Sequence, residues 1–355
     1  MKKLLVMLLC LVFLTGCMVV AVPEKNPPEK PDLSDRSAGL TVHFIDVGQA
    51  DCALLICDGK TMLIDGGNVD DAELVVSYLR QQGVEYLDYV VGTHAHEDHI
   101  GGLGGVMAAF EAGTVWSPVD EHDTTCFAYF KRYSEEQGLT LECPGPGSEW
   151  ELGSAIITVL GPVAEYEDTN NTSIVLAVDY GDTSFLFTGD AEAEAEKDIL
   201  KAGYDVSATV LKVGHHGSNT SSCYQWLKAV GAEYGVISCE TGNDYGHPHD
   251  EPLSRLRDAD VELYRTDLQG HIVCTSDGRS VSFATEKYAA ITNPTTVDGS
   301  GQNSGEVTFI GNKNSRKFHV STCNGLPSEK NRVQFESYDS AVAQGYEPCG
   351  TCIGG

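Results

Sequence analysis

Within THAHEDHIGG, Thr93 to Gly102, three histidines and one aspartate (His94, His96, Asp98 and His99) fall in six positions. Imidazole nitrogens and carboxylate oxygens are side-chain ligands of first-row divalent cations. In an extended turn, His94 and His96, two apart, can aim both rings at one ion. Asp98 and His99, adjacent, can face a second. Asp190 in FTGD offers two oxygens, which suits a bridge between ions about 3.5–4 Å apart. Such a pair lowers the pKa of a bridging water and clamps the attacking and leaving oxygens of a displacement. A third group, His215 and His216, lies in KVGHHGS.

Each group follows an apolar run that reads as a strand: LDYVVGT, SIVLAVDY-GD-TSFLFTGD and ATVLKVGHHGS. Residues at strand ends converge on one rim of a sheet, where sites form. TVHFIDV, CALLIC and TMLID are further short strands, and YGVISC, 261–265 and 271–275 read likewise. Helical periodicity runs over 71–82, stopped by Gly83, and over 191–202, closed by Gly203, with further helices near 222–230 and 251–258. Asp190 also stands where a helix takes its N-cap. Strands that alternate with helices and also pair as hairpins predict an α/β fold, an αββα sandwich of two mixed sheets.

The chain of 355 residues is long enough for two folded units, and 41% hydrophobic residues supply a core. A net charge of -29 excludes a general nucleic-acid binder, which needs Lys and Arg on phosphates, and predicts a soluble monomer. MKK followed by the ten-residue apolar run LLVMLLCLVF reads as a signal peptide over 1–17, too short for a membrane span. LTGC, ending on Cys17, resembles the lipobox of bacterial lipoproteins. That resemblance implies cleavage before Cys17, lipid on its sulfur, and an extracytoplasmic protein anchored to the cell membrane. Residues 18–38, with four prolines, read as a disordered tether. A unit over 39–286 follows, then a flexible linker over 287–305 and a small module over 306–355.

Seven cysteines scattered through the large unit show no metal-like spacing and read as small buried side chains, or one or two disulfides. The module differs. His319 and Cys323, then Cys349 and Cys352, give H-x3-C, 25 residues, C-x2-C. Four N or S ligands suit a tetrahedral structural zinc, and so small a module needs a staple. It resembles the zinc-binding domain of Ada-type DNA-repair proteins, with His in one Cys position.

The large unit resembles the metallo-β-lactamase superfamily, and within it the lactamase-like domain of ComEC-type competence proteins. The resemblance rests on FIDVGQADCALL, LIDGG, THAHEDHIGGL, NNTSIVLAV, FLFTGDAE, LKVGHHGSNTSS, YGHP and YRTDLQGHI, over about 41–275. It implies His94 and His96 on one ion, Asp98 and His99 on the other, Asp190 between them, and one of His215 and His216 as a late ligand. His215, nearer the strand, is preferred. Many members place a third histidine before the bridging aspartate, where this chain has Asn170 and Asn171. A neutral amide ligand makes the first site more open, able to take Mn²⁺ as well as Zn²⁺.

Other rim residues form a candidate shell. Asp46 or Asp65 can fix a ligand histidine's tautomer, and Gln49 and Asp51 lie nearby in sequence. Asn171, Lys212, Ser218 and Asn219 are candidate substrate contacts, and His247 in YGHP a phosphate contact or proton donor. Asp98, Asp190 and His247 are the candidate catalytic residues. The expected activity is two-metal hydrolysis of phosphodiesters, first of extracellular nucleic acid, by metal-bound hydroxide. Small phosphodiesters are the alternative substrate, and a non-catalytic DNA-binding surface receptor the alternative role. The LTGC reading makes a direct prediction: Cys17→Ser releases the protein from membranes or stalls its processing. Unchanged membrane fractionation of the variant rules out the lipid anchor.

Overall fold

Short apolar runs broken by Gly and Asp give a meander of Leu40–Phe44 (β1), Ala53–Cys57 (β2) and Lys60–Ile64 (β3). The computed structural model describes residues 39–289 and 309–349, the latter without 320–322, 324–325 and 336–337. Cys17, the tether and Cys352 lie outside the described residues. After Ala72–Gln81 (α1), Tyr86–Val91 (β4) returns parallel to β3. Glu97–Ile100 (α2) and Leu103–Ala109 (α3) lead to Glu111–Trp116 (β5), then Thr125–Glu136 (α4) and Leu141–Glu142 (β6).

A second sheet starts with the antiparallel strands Glu149–Leu152 (β7), Ala155–Gly161 (β8), Val175–Tyr180 (β9) and Thr183–Phe187 (β10). Ala193–Ala202 (α5), Val210–Lys212 (β11), Tyr224–Val230 (α6), Tyr234–Ile237 (β12), Asp250–Asp258 (α7) and Glu262–Arg265 (β13) extend it in parallel. Past Thr266–Gln269 (α8), Ile272–Ser276 (β14) and Val281–Thr285 (β15) rejoin the first sheet beside β1. The orders are β15-β14-β1-β2-β3-β4-β5-β6 and β13-β12-β11-β10-β9-β8-β7.

Burial on both faces of each sheet makes the sandwich. Phe44 and Phe187 meet across the centre at 6.1 Å, among Leu55, Ile157 and Leu176. On the outer face of the first sheet, Val75, Leu79, Leu103 and Phe130 come from its helices; on that of the second, Ile199, Trp226 and Leu256. Each buried Leu, Ile or Phe contributes about 1.5–3 kcal/mol. Of the nine described cysteines all but Cys143 are buried. A small sheet follows from Phe309–Asn312 (β16), Lys317–His319 (β17), Arg332–Phe335 (β18) and Glu347–Pro348 (β19), with Tyr338–Ala343 (α9). It touches the sandwich where Phe309 meets Tyr224 of α6, ring centroids 5.5 Å apart. Among the described residues no helix is long and apolar enough to cross a membrane.

Two glycines set how closely the histidine turn approaches the first sheet. A Cβ on Gly102 would lie 2.1 Å from the Gly66 carbonyl oxygen, just past β3, and one on Gly101 2.5 Å from Val69 N. Gly102→Ala therefore forces these backbones apart. It should cost on the order of 2 kcal/mol, within the usual overpacking range, and loosen metal binding. Denaturant unfolding of variant and wild type within about 0.5 kcal/mol of each other would show that this contact does not set the turn.

Candidate metal centre

Strand β4 stops at Val91, and Asp65, at the end of β3, braces the turn beyond it. Its carboxylate accepts the Thr93 backbone N–H and hydroxyl, each at 2.8 Å, and lies 2.8 Å from His99 Nδ1. Asp65 has a φ of +59°, a left-handed conformation that Asp tolerates better than most residues. Held by this brace, the chain presents His94 and His96 before α2, and Asp98 and His99 on its first turn. His94 Nε2 lies 3.0 Å from His96 Nδ1.

Asp190 enters from the second sheet. Its Oδ1 is 3.3 Å from His99 Nε2; its Oδ2 is 3.6 Å from His215 Nε2, 3.7 Å from His216 Nε2 and 4.0 Å from His94 Nε2. His216 Nε2 is 3.2 Å from Asp98 Oδ2, which is 3.9 Å from His99 Nε2. Ligands bonded at about 2.0–2.1 Å around a tetrahedral ion stand roughly 3.3 Å apart, close to these separations. Asp190 Oδ1, His99 Nε2 and His216 Nε2 are buried without a hydrogen-bond partner. Such orphans are costly unless something binds them. Asp98, His99, Asp190 and His216 offer four ligand atoms within 4.8 Å of one another, a donor set that fits Zn²⁺ or Mn²⁺.

The electrostatics favour positive charge. Burial pulls the His216 pKa down, but the Asp190 and Asp51 carboxylates outweigh it and raise it to about 10. Asp190, Asp65 and Asp98 likewise overcome burial and hold His99 well above the usual histidine range. Burial and the neighbouring His99 push His94 well below it. Burial would raise the Asp98 carboxyl, yet His99 and His216 bring it to about 2. A potential that retains protons on His99 and His216 also attracts a divalent cation, which displaces them on binding.

Strand β11 ends at Lys212, and His215 and His216 both take left-handed backbones, φ 50° and 52°. This turn brings the second histidine inward. His216 is buried beside Asp98; its Nδ1 lies 3.0 Å from the Ser238 carbonyl and 3.3 Å from Asp51 Oδ1, contacts that leave Nε2 bare. His215 is part-exposed, with Nδ1 3.1 Å from Thr220 Oγ1 and 3.4 Å from Glu192 Oε1. The preference for His215 is thereby corrected: it faces Asp190, while His216 completes the four-atom cluster.

Three further expectations change. Asp190 does not cap α5, whose N-cap is Glu192. Asn171 Oδ1 accepts the backbone N–H of Glu192 (3.0 Å) and Ala195 (3.4 Å), so Asn171 secures α5 rather than meeting substrate. Lys212 is buried, its Nζ 2.7 Å from Asp51 Oδ2, and is spent on that ion pair. Asn170 lies beside the first site, with Oδ1 buried and unpartnered; its carbonyl accepts the Ser173 hydroxyl (2.7 Å), whose oxygen is 3.4 Å from His94 Nδ1. Ser218 is buried and bonds Thr220 Oγ1 at 3.1 Å; Asn219 is exposed, its backbone N–H on His249 Nδ1. The His247 ring lies 5.5 Å from that of His215, and its Nδ1 is 3.2 Å from Gln49 Nε2. Burial and the nearby His216 and His215 lower its pKa to about 4.

A clamp that the sequence concealed holds the histidine loop. Arg255 of α7 donates to the carbonyls of Asn219, Ser221 and Ser222, each at 3.0 Å, and Glu196 of α5 accepts the N–H of Ser222 and Cys223. Burial pushes the Glu196 carboxyl to about 7, against these bonds and the Arg255 charge. Neither residue carries a local sequence signal for this role. In the small module, His319, Cys323 and Cys349 bring three ligand atoms within 4.8 Å, with His319 Nδ1 and Cys323 Sγ 3.3 Å apart.

The family model of the metallo-beta-lactamase superfamily matches residues 45–241, more than half of the chain, and the chain belongs to that superfamily. It is 28% identical over 257 residues to ComE operon protein 3 of Bacillus subtilis (65% of this chain, 32% of the relative). It is 33% identical over 239 residues to competence protein ComA of Neisseria gonorrhoeae (66% and 32%). The chain thus spans about a third of the length of these relatives. Among solved structures, the metallo-beta-lactamase fold protein YhfI from Bacillus subtilis aligns with a TM-score of 0.46 and 14% identity, covering 67% of this chain and all of that one.

Elemental analysis of the full chain tests these assignments together. About three ions per chain are expected, two at the histidine–aspartate centre and one in the module. Asp190→Asn and His216→Ala should each lose at least one ion, His215→Ala none, and Cys349→Ser only the module's ion. Two ions retained in the large unit of Asp190→Asn would refute a bridge, and equal losses in both histidine variants would refute the choice of His216.

Proposed function

We propose that this member of the metallo-β-lactamase superfamily hydrolyses phosphodiester bonds with two divalent ions, His94, His96 and Asp190 holding one and Asp98, His99, His216 and Asp190 the other. The observation that carries this reading is the set of orphaned, buried ligand atoms on Asp190, His99 and His216 at one rim of the sandwich. Bound ions would supply Lewis acidity and charge neutralisation for an in-line displacement at phosphorus. The protein's own part is positional. Asp65 orients His99, and Asp51 with Ser238 orients His216. His247 donates an N–H to a phosphoryl oxygen.

Two of the relatives are named for competence and recombination, which directs the first substrate to nucleic acid. A small phosphodiester is the second reading, favoured by the net charge of -29. A receptor that merely binds DNA needs no bridged pair of ions. Around this centre we place a lipid anchor at Cys17, an extracytoplasmic site of action, a monomeric chain and one structural zinc on His319, Cys323, Cys349 and Cys352.

The test is purified full chain with Zn²⁺ or Mn²⁺ on bis-p-nitrophenyl phosphate, single- and double-stranded DNA, and nitrocefin. Phosphodiester cleavage without nitrocefin turnover is expected, lost by on the order of 10³-fold in Asp98→Ala. Nitrocefin turnover with no phosphodiester cleavage would overturn the proposal.

A further inference from the structure

A groove of about 800 Å³ opens on the metal centre, with Asp98 in its wall. Six of its lining residues carry carboxylates (Asp46, Asp71, Glu97, Asp98, Glu240 and Asp267), and none is Lys or Arg. Some of this charge is already answered. Arg265 forks onto Asp267 at 3.0 and 2.7 Å, Asp71 takes the Asn68 N–H at 2.8 Å, and Lys287 Nζ stands 4.0 Å from Asp46. Asp98 belongs to the metal centre. Glu97 and Glu240 remain, both exposed, and among the described residues neither has a Lys or Arg nitrogen within 4.0 Å.

Two further observations make this a ligand site and not merely an acidic surface. Beside Asp98, at 3.2 Å, lies the buried, unpartnered His216 Nε2, so the Asp98 wall of the groove borders the metal centre. The groove also carries an aromatic wall: Tyr245 is 68% exposed and stacks on His247 at 5.6 Å and 23°. Glu240 is tied to the same wall, its N–H 3.3 Å from Gln49 Oε1 while Gln49 Nε2 reaches His247. An exposed aromatic face beside uncompensated carboxylates is the environment that holds an ammonium group, by cation–π attraction and charge together. A nucleic-acid backbone would need Lys and Arg along the groove, and the lining offers none.

We propose that the groove selects a phosphodiester bearing a cationic ammonium group next to the scissile phosphate, with Tyr245, Glu240 and Glu97 as its specificity residues. The proposal rests on the phosphodiesterase reading and, within it, takes the small phosphodiester as substrate in place of nucleic acid. The hydrolysis balances with water alone: the P–O bond to the leaving alcohol breaks, water supplies the new P–O bond, and the alcohol leaves with a proton.

The experiment compares p-nitrophenyl phosphorylcholine with bis-p-nitrophenyl phosphate on the full chain with Mn²⁺. The expected kcat/KM ratio favours the choline ester by about tenfold or more, and falls at least roughly fivefold in the double variant Glu240→Gln, Tyr245→Leu and at high salt. A ratio near one, or one untouched by the double variant, overturns the proposal. Calorimetric binding of phosphocholine separates the two claims. Cleavage of bis-p-nitrophenyl phosphate without phosphocholine binding sinks the ammonium site alone. Binding that needs Tyr245 and Glu240, with neither ester cleaved, keeps the site and sinks the phosphodiesterase reading. Glycerophosphocholine in solution against phosphatidylcholine vesicles then shows whether the ammonium group comes from a free ester or a lipid headgroup.

Discussion

Everything at the rim of this sandwich depends on one electrostatic conflict, the crowding of buried carboxylates and bare imidazole nitrogens around Asp190. Asp190 is 2% exposed, and its Oδ1 has no hydrogen-bond partner although His99 Nε2 is 3.3 Å away. Atoms so placed repel or leave one another unsatisfied until a cation lies between them. Side chains free to move would turn away, so the fold must hold them. Asp65 and Thr93 hold His99 and His94 from one sheet, and Asp51 and Ser238 hold His216 across the gap to the other.

The sandwich architecture explains why this holding is possible. Strands β3 and β4 end side by side in one sheet, and β10 and β11 in the other, each pair parallel or nearly in step at the same rim. Phe44 stacked on Phe187 keeps the two sheets at fixed separation just below. Loops from both sheets therefore reach Asp190 over short spans. The glycines at 101 and 102 let the histidine turn lie against the Gly66–Asn68 backbone, a contact that any Cβ would block.

The range of each interaction decides whether the sequence reveals it. The turn from His94 to His99 is legible because its ligands are consecutive, and local spacing alone orients them. The helices over 72–81 and 193–202 are legible from period and from a following glycine; Gly203 has φ +83°. His215 and His216 are adjacent, so spacing cannot rank them, and a left-handed turn decides which is buried. Asn171 and Lys212 look like polar groups beside a site, but their partners, Glu192 and Asp51, lie 21 and 161 positions away. Strands β5 to β8 carry no ligand and a weaker pattern, and only the structure delimits them. Arg255 and Glu196 carry no signal in the sequence, because nothing local announces that the histidine loop will bond to both.

The ion pairs beneath the site bear on folding as well as on chemistry. Lys212–Asp51 is almost fully buried, and buried pairs often add little net stability, since desolvation offsets their attraction. Their contribution here is geometric. Lys212 neutralises Asp51, so Asp51 can stand 3.3 Å from His216 Nδ1 without adding another full negative charge beside Asp98 and Asp190. Any ion that binds the resulting cluster binds the folded chain and not the unfolded one, because the ligands come from separate loops. At a free metal concentration 100 times Kd this linkage stabilises the fold by about 2.7 kcal/mol. The same linkage runs in reverse: the binding energy of the ions compensates the cost of keeping Asp190, His99 and His216 buried and unpartnered.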